Sequence, residues 1–197
     1  MVPLREPRSV STQAADNLVF IRQTMERSST FTAVPGAGGV VMGVLGLAAA
    51  GIAARQPTSD RWLATWLVAA AIAAVVGLVF MSLKARAAGI PVIGTTTRRF
   101  ALGMAAPFVA GAAITYELWA VHNFTVMAPT WLLLYGAGLL TGGMFSVRVV
   151  RVIGLCFMAA GLAAIITPHE WGNLWLAIGF GGVQVAFGIH IARNHGG

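Results

Sequence analysis

Residues 62–83 read WLATWLVAAAIAAVVGLVFMSL, an apolar run without one charged side chain. A helix rises about 1.5 Å per residue, so about 20 residues cross a hydrocarbon core of about 30 Å. The run therefore reads as a transmembrane helix. Working outward, 33–54, 100–122, 126–146, 149–167 and 171–192 have the same character. The expected fold is an all-α membrane protein, a bundle of six transmembrane helices over 33–192. A tail over 1–32 with a short amphipathic cytoplasmic helix precedes it, and a cytoplasmic tail over 193–197 follows. The first stretch is too long and too far from the start for a cleavable signal peptide and reads as a retained helix.

Composition agrees with that reading. Of the 197 residues 57% are hydrophobic and 10% charged, with a mean hydropathy of +0.79; a soluble domain is normally about 45–50% apolar and about 25% charged. One water-soluble core cannot hide such an excess, so lipid is the expected partner of this surface. The 13 basic residues outnumber the 6 acidic ones, yet they lie in short tracts between apolar runs and not along one face. No nucleic-acid partner is expected. Cys156 is the only cysteine, which excludes an internal disulfide, a CxxC redox pair and a cysteine zinc cluster.

Arginine and lysine set the orientation. Arg5, Arg8, Arg22, Arg27, Lys84, Arg86, Arg98, Arg99, Arg148, Arg151 and Arg193 fall on one side of the six-span arrangement, and only Arg55 and Arg61 on the other. The rich side is cytoplasmic and holds both termini. All six tryptophans, Trp62, Trp66, Trp119, Trp131, Trp171 and Trp175, fall near the opposite ends, where indoles favour the headgroup zone. Twelve arginines to one lysine point to a bacterial inner (plasma) membrane.

Inside lipid, helices associate through close approach at small residues. Gly39-x-x-x-Gly43, continued by Gly46, and Gly138-x-x-x-Gly142 supply such faces. They favour a tight internal bundle over any particular oligomer and leave a homo-oligomer open. In the third span the stripe Gly103, Ala106, Ala110, Ala113 leads to Glu117, and in the sixth Ala177, Gly181, Gln184 and Gly188 form another. Both polar side chains are expected to face protein. Pro107 removes a helical hydrogen bond and can kink the third span.

Glu117 is the one acidic residue inside an expected span, and such a group is a functional candidate by default. Counted from residue 122 it lies about 8 Å deep, where it serves either interhelical bonding or the handling of protons, cations or substrate. Gln184 lies near mid-bilayer and reads as an interhelical hydrogen bond. His122, His169 and Glu170 fall near the outer surface at the depth of Glu117. Together they could ligate a divalent metal if the loops converge, although no spacing enforces it and interfacial polarity is the simpler reading. No cofactor is expected. His190 and His195 near the inner end are weak evidence for a pH sensor.

Over 12–27, Ala14, Leu18, Ile21 and Met25 recur at helical spacing. This helix either lies on the inner leaflet or offers a partner protein a docking surface over 12–32 through Arg22, Met25 and Arg27. The basic connection 84–99 reads as a solvated, topology-setting loop. There is no GxSxG elbow, no paired intramembrane aspartates and no Walker lysine, so an intramembrane hydrolase or ATPase is not expected, and a non-enzyme is favoured without being decided.

The segments Pro129-Thr130-Trp131-Leu132, Tyr135-Gly136-Ala137-Gly138, Gly142-Gly143, Gly179-Phe180-Gly181-Gly182 and Phe187-Gly188-Ile189-His190-Ile191-Ala192-Arg193 resemble a family of small bacterial six-helix integral membrane proteins with no assigned activity. The likeness extends to Phe20-Ile21-Arg22-Gln23-Thr24-Met25-Glu26-Arg27. It implies the six-helix fold and no functional residues, and it raises the docking reading of the amphipathic helix. Two functions compete: a non-enzymatic membrane subunit or scaffold presenting a basic cytoplasmic helix to a partner, and a small ion or solute transporter or channel using Glu117. A metal-dependent membrane enzyme using His122, His169, Glu170 and Glu117 comes third.

Overall fold

A computed structural model describes residues 17–18, 34–87, 89 and 94–194, and there the fold is all-helical. The helices are α1 (Gly36–Ala53), α2 (Ser59–Ala87), α3 (Thr95–Ala120), α4 (Met127–Gly143), α5 (Arg148–Ile166) and α6 (His169–Asn194). Five of them are long and apolar enough to cross a membrane, whereas α4 has 17 residues. Of the amphipathic stretch over 12–27 only Asn17 and Leu18 are described, both helical and exposed; Arg22, Met25, Arg27 and His195 lie outside the described residues.

Several boundaries differ from those read in the sequence. The helix α2 continues past residue 83 to Ala87, and α3 starts at Thr95, not at 100. Apolar runs mark where the lipid ends; the backbone keeps coiling for as long as its hydrogen bonds close. The basic side chains Lys84, Arg86, Arg98 and Arg99 therefore ride on helix ends. Lys84 Nζ donates to the Val34 carbonyl at 3.0 Å, tying the C-terminal end of α2 to the start of α1. Pro35 suits that start, since its missing N–H is not needed there and its carbonyl accepts from Gly39 N–H at 3.1 Å.

Two tight pairs form the centre, α1 with α6 and α4 with α5, and α6 touches α4 and α5 to join them. Glycines set the close approach. A Cβ on Gly43 would lie 2.7 Å from the Val185 nitrogen, and one on Gly188 would lie 2.6 Å from that of Val40. Gly136 and Gly154 do the same for α4 and α5, each occupying space a Cβ would contest with the other's carbonyl oxygen. The sixth-helix stripe thus faces protein, with Gly181 and Gly188 buried. Within α6 the stretch Ala177–Val183 widens into a π-helix, which carries Phe180 into a ring cluster with Tyr135 of α4 and Phe157 of α5. Their centroids are 4.6, 5.0 and 5.1 Å apart.

The outer helices differ from this centre. The helix α2 lies along α1 and α3 along α4, each with one extensive neighbour. In its most apolar membrane-length window α3 has no buried residue. Val75, Leu78, Leu102 and Val109 are among its and α2's exposed apolar side chains, a surface suited to lipid contact.

The expectation that the stripe Gly103, Ala106, Ala110, Ala113 packs inside the bundle needs correction. Only Gly103 meets α4, where a Cβ would lie 2.7 Å from the Gly142 nitrogen; the three alanines are exposed. The face in contact runs instead through Phe100, Gly103, Met104, Pro107, Gly111 and Thr115. A small residue permits close approach, but a neighbour must be there to use it.

Candidate functional site

The tryptophans gather at one end of the bundle, where α2, α4 and α6 begin and α3 ends. Asn173, in the first turns of α6, organises them. Its Oδ1 accepts from the indole N–H of both Trp62 and Trp66 at 3.1 Å each, while its Nδ2 donates to the Ala50 carbonyl at 3.0 Å. One amide thereby links α1, α2 and α6. Trp62 also stacks on Trp131 of α4, centroids 5.7 Å apart and planes 8° from parallel. Three more indoles donate to side-chain oxygens: Trp131 to Thr115 Oγ1 at 2.8 Å, Trp175 to Thr167 Oγ1 at 2.8 Å and Trp119 to Asp60 Oδ1 at 3.0 Å. Five of the six indoles thus donate to protein, because they stand at helix junctions where a side-chain oxygen lies within reach.

Beside Asn173 opens a cleft of about 390 Å³, walled by the α1–α2 connection (Gln56, Thr58), Trp62, the α3–α4 connection (Phe124, Thr125) and the start of α6 (His169, Glu170). Two of the three outer-face candidates, His169 and Glu170, thus line one space, and both are exposed. His122 is not in that lining; its ring lies 6.5 Å from that of Phe124, which is. Among the described residues no three of His, Cys, Asp and Glu come together as a metal site.

His122 has a local explanation. Its φ of 55° is left-handed, and the N–H groups of His122 and Asn123 donate to the carbonyls of Trp119 at 3.0 Å and Leu118 at 2.8 Å. This is the Schellman closure of a helix C-terminus, where glycine is the usual residue. The His122 ring adds a bond from Nδ1 to the Trp119 carbonyl at 3.0 Å. Its place at the end of α3 is accounted for by capping.

Glu117 departs from expectation. It is exposed, and its side chain makes no hydrogen bond or ion pair with a described residue, although its carbonyl accepts from the Val121 N–H at 3.0 Å. Because α3 stops at Ala120, Glu117 is in the last helical turn, about 4.5 Å from the helix end. Gln184 belongs to a different layer: its Nε2 donates to Tyr135 Oη at 3.3 Å, bonding α6 to α4 at the ring cluster. Gln184→Leu is expected to lower bundle stability by about 0.6 kcal/mol, measurable as an SDS-titrated unfolding midpoint in micelles.

Asn173, Tyr135 and the pair formed by Thr141 and Pro107 escaped sequence reasoning. Asparagine near a helix start reads as interfacial polarity, and nothing local reveals two indoles converging on it. Pro107 carries a faint signal. A proline within a helix frees the carbonyl four residues earlier, here Gly103, and the Thr141 hydroxyl donates to it at 2.6 Å. Comparison with known protein families, with curated proteins and with solved structures finds no match to this chain.

Proposed function

We propose that the chain is a non-enzymatic subunit or scaffold of a bacterial inner membrane, crossing it six times with both termini in the cytoplasm. The likeness to the small bacterial six-helix family over 129–143 and 179–193 belongs to this reading. Its orientation is supported by eleven basic residues against two and by indoles gathered at the end opposite most of them. At 17 residues, α4 sits at the lower limit of spanning length, about 17–25 residues.

One observation carries the subunit reading. The exposed face of α3 presents Ala106, Ala110 and Ala113, ending at Glu117. A lipid-facing helix gains nothing from a run of small residues, whereas an incoming helix gains close backbone contact along it. Glu117 at its end would accept a hydrogen bond or a positive charge from that helix. The intended partner is a transmembrane helix with a basic or amide side chain near its outer end. The cytoplasmic stretch 12–27, with Arg22, Met25 and Arg27, would add a second contact in the same assembly. Transport through Glu117 has less support, since Glu117 is exposed and Gln184 bonds to Tyr135 instead.

The test is photo-crosslinking in native membranes from position 110 on α3, with position 75 on α2 as control. A heteromeric adduct at 110, absent at 75 and reduced several-fold by Glu117→Leu, is the expected outcome. An adduct of twice the chain's own mass replaces the subunit reading with a homo-oligomer. No adduct, together with solute uptake by proteoliposomes that Glu117→Gln abolishes, overturns it in favour of transport.

A further inference from the structure

We propose that the cleft beside Asn173 binds a substituted ammonium group at the membrane surface. Among the described residues Glu170 is the one formally charged side chain in its lining, and no lysine or arginine lines it. Asp60, the nearby carboxylate in the first turn of α2, accepts from the Trp119 indole and is not part of the wall. Two aromatic rings, Trp62 and Phe124, share the lining with Glu170. A carboxylate beside aromatic faces is the chemistry that holds alkylated ammonium groups, through charge and the negative ring faces together. A bare metal cation is poorly served by the same wall, as ligating groups do not cluster there.

The wall is also held in place. Trp62 is fixed by its bond to Asn173 and its stack on Trp131, and Phe124 lies with its ring 6.5 Å from that of His122, which closes the end of α3. Binding would then require little reordering beyond the Glu170 side chain, which favours affinity. The volume of about 390 Å³ is at the small end of ligand pockets, about 300–1,000 Å³. It suits a headgroup-sized amine. Such an amine arrives either as a lipid headgroup or as a free solute. This inference is independent of whether α3 docks a partner.

The experiment uses the full chain in nanodiscs. Tetramethylammonium and ethanolammonium are titrated by calorimetry in phosphatidylglycerol discs. Retention of phosphatidylethanolamine over phosphatidylglycerol is measured by native mass spectrometry. Saturable binding of a soluble amine identifies a free solute as ligand, and selective lipid retention identifies a headgroup. In either case Glu170→Gln is expected to weaken binding about tenfold, while Glu117→Gln leaves it unchanged. Glu170 is exposed, so its substitution leaves the fold intact. Absence of both saturable binding and selective retention overturns the proposal, as does equal weakening by the two substitutions.

Discussion

Asn173→Leu is expected to lower the stability of the bundle by about 2 kcal/mol, three interhelical hydrogen bonds at about 0.6 kcal/mol each. The oxygen of this amide is shared by two indoles and its nitrogen reaches the Ala50 carbonyl. Leucine offers similar volume and no polar atom, leaving all three partners without their bond. Trp66 is 5% exposed, so its N–H cannot turn to water and bears the full cost of being unpaired. SDS-titrated unfolding in micelles measures the loss, and a change in tryptophan emission from Trp62 and Trp66 should accompany it. An unfolding free energy within about 0.5 kcal/mol of the parent, the range of ordinary surface substitutions, would show that Asn173 joins nothing.

The second large effect is a coupling. With Pro107 in place the Gly103 carbonyl has lost its helical donor and takes the Thr141 hydroxyl of α4 at 2.6 Å. Thr141→Val removes that donor at nearly constant shape, and in lipid no water replaces it. The expected cost is about 1–1.7 kcal/mol, toward the upper end for one interhelical bond in a membrane. Pro107→Ala restores an N–H to the Gly103 carbonyl. In that background Thr141→Val should cost only a few tenths of a kcal/mol, the usual residue when two sites no longer interact. The hydroxyl also lies 2.9 Å from the Ala137 carbonyl and 3.2 Å from that of Gly138, within its own helix, yet it has one proton to give. Simple additivity of the two substitutions would mean the proton stays within α4 and the interhelical bond does not form.

The helices themselves were readable because their signal is local. An uninterrupted apolar run such as 62–83 registers the solvent around each residue, and the six runs correspond to the six helices between Gly36 and Asn194. Helix ends were less readable, since Lys84, Arg86 and Arg98 keep helical hydrogen bonds after the apolar run has stopped. The glycine face of the first span was visible as spacing and does meet α6. Ala106, Ala110 and Ala113 of the third span continue such a spacing but are exposed and meet no helix among the described residues, so small-residue periodicity named a capacity for contact without saying whether anything fills it.

Candidate sites followed the same division. His169 and Glu170 are adjacent in sequence and share one cleft, whereas Glu117, counted as five residues from a helix end at residue 122, stands three residues from the end at Ala120. Sequence alone determined the composition of each helix, the segregation of arginine from tryptophan and the glycine faces, all of which depend on one residue and its near neighbours. Only the tertiary structure decided that Asn173 gathers two indoles and a carbonyl, that Thr141 completes a bond Pro107 leaves open, and that α3 turns its alanines outward. Those outcomes depend on which helix lies beside which, and helix order in space is set by the sum of many weak, near-equal packing contacts that no single stretch of sequence contains.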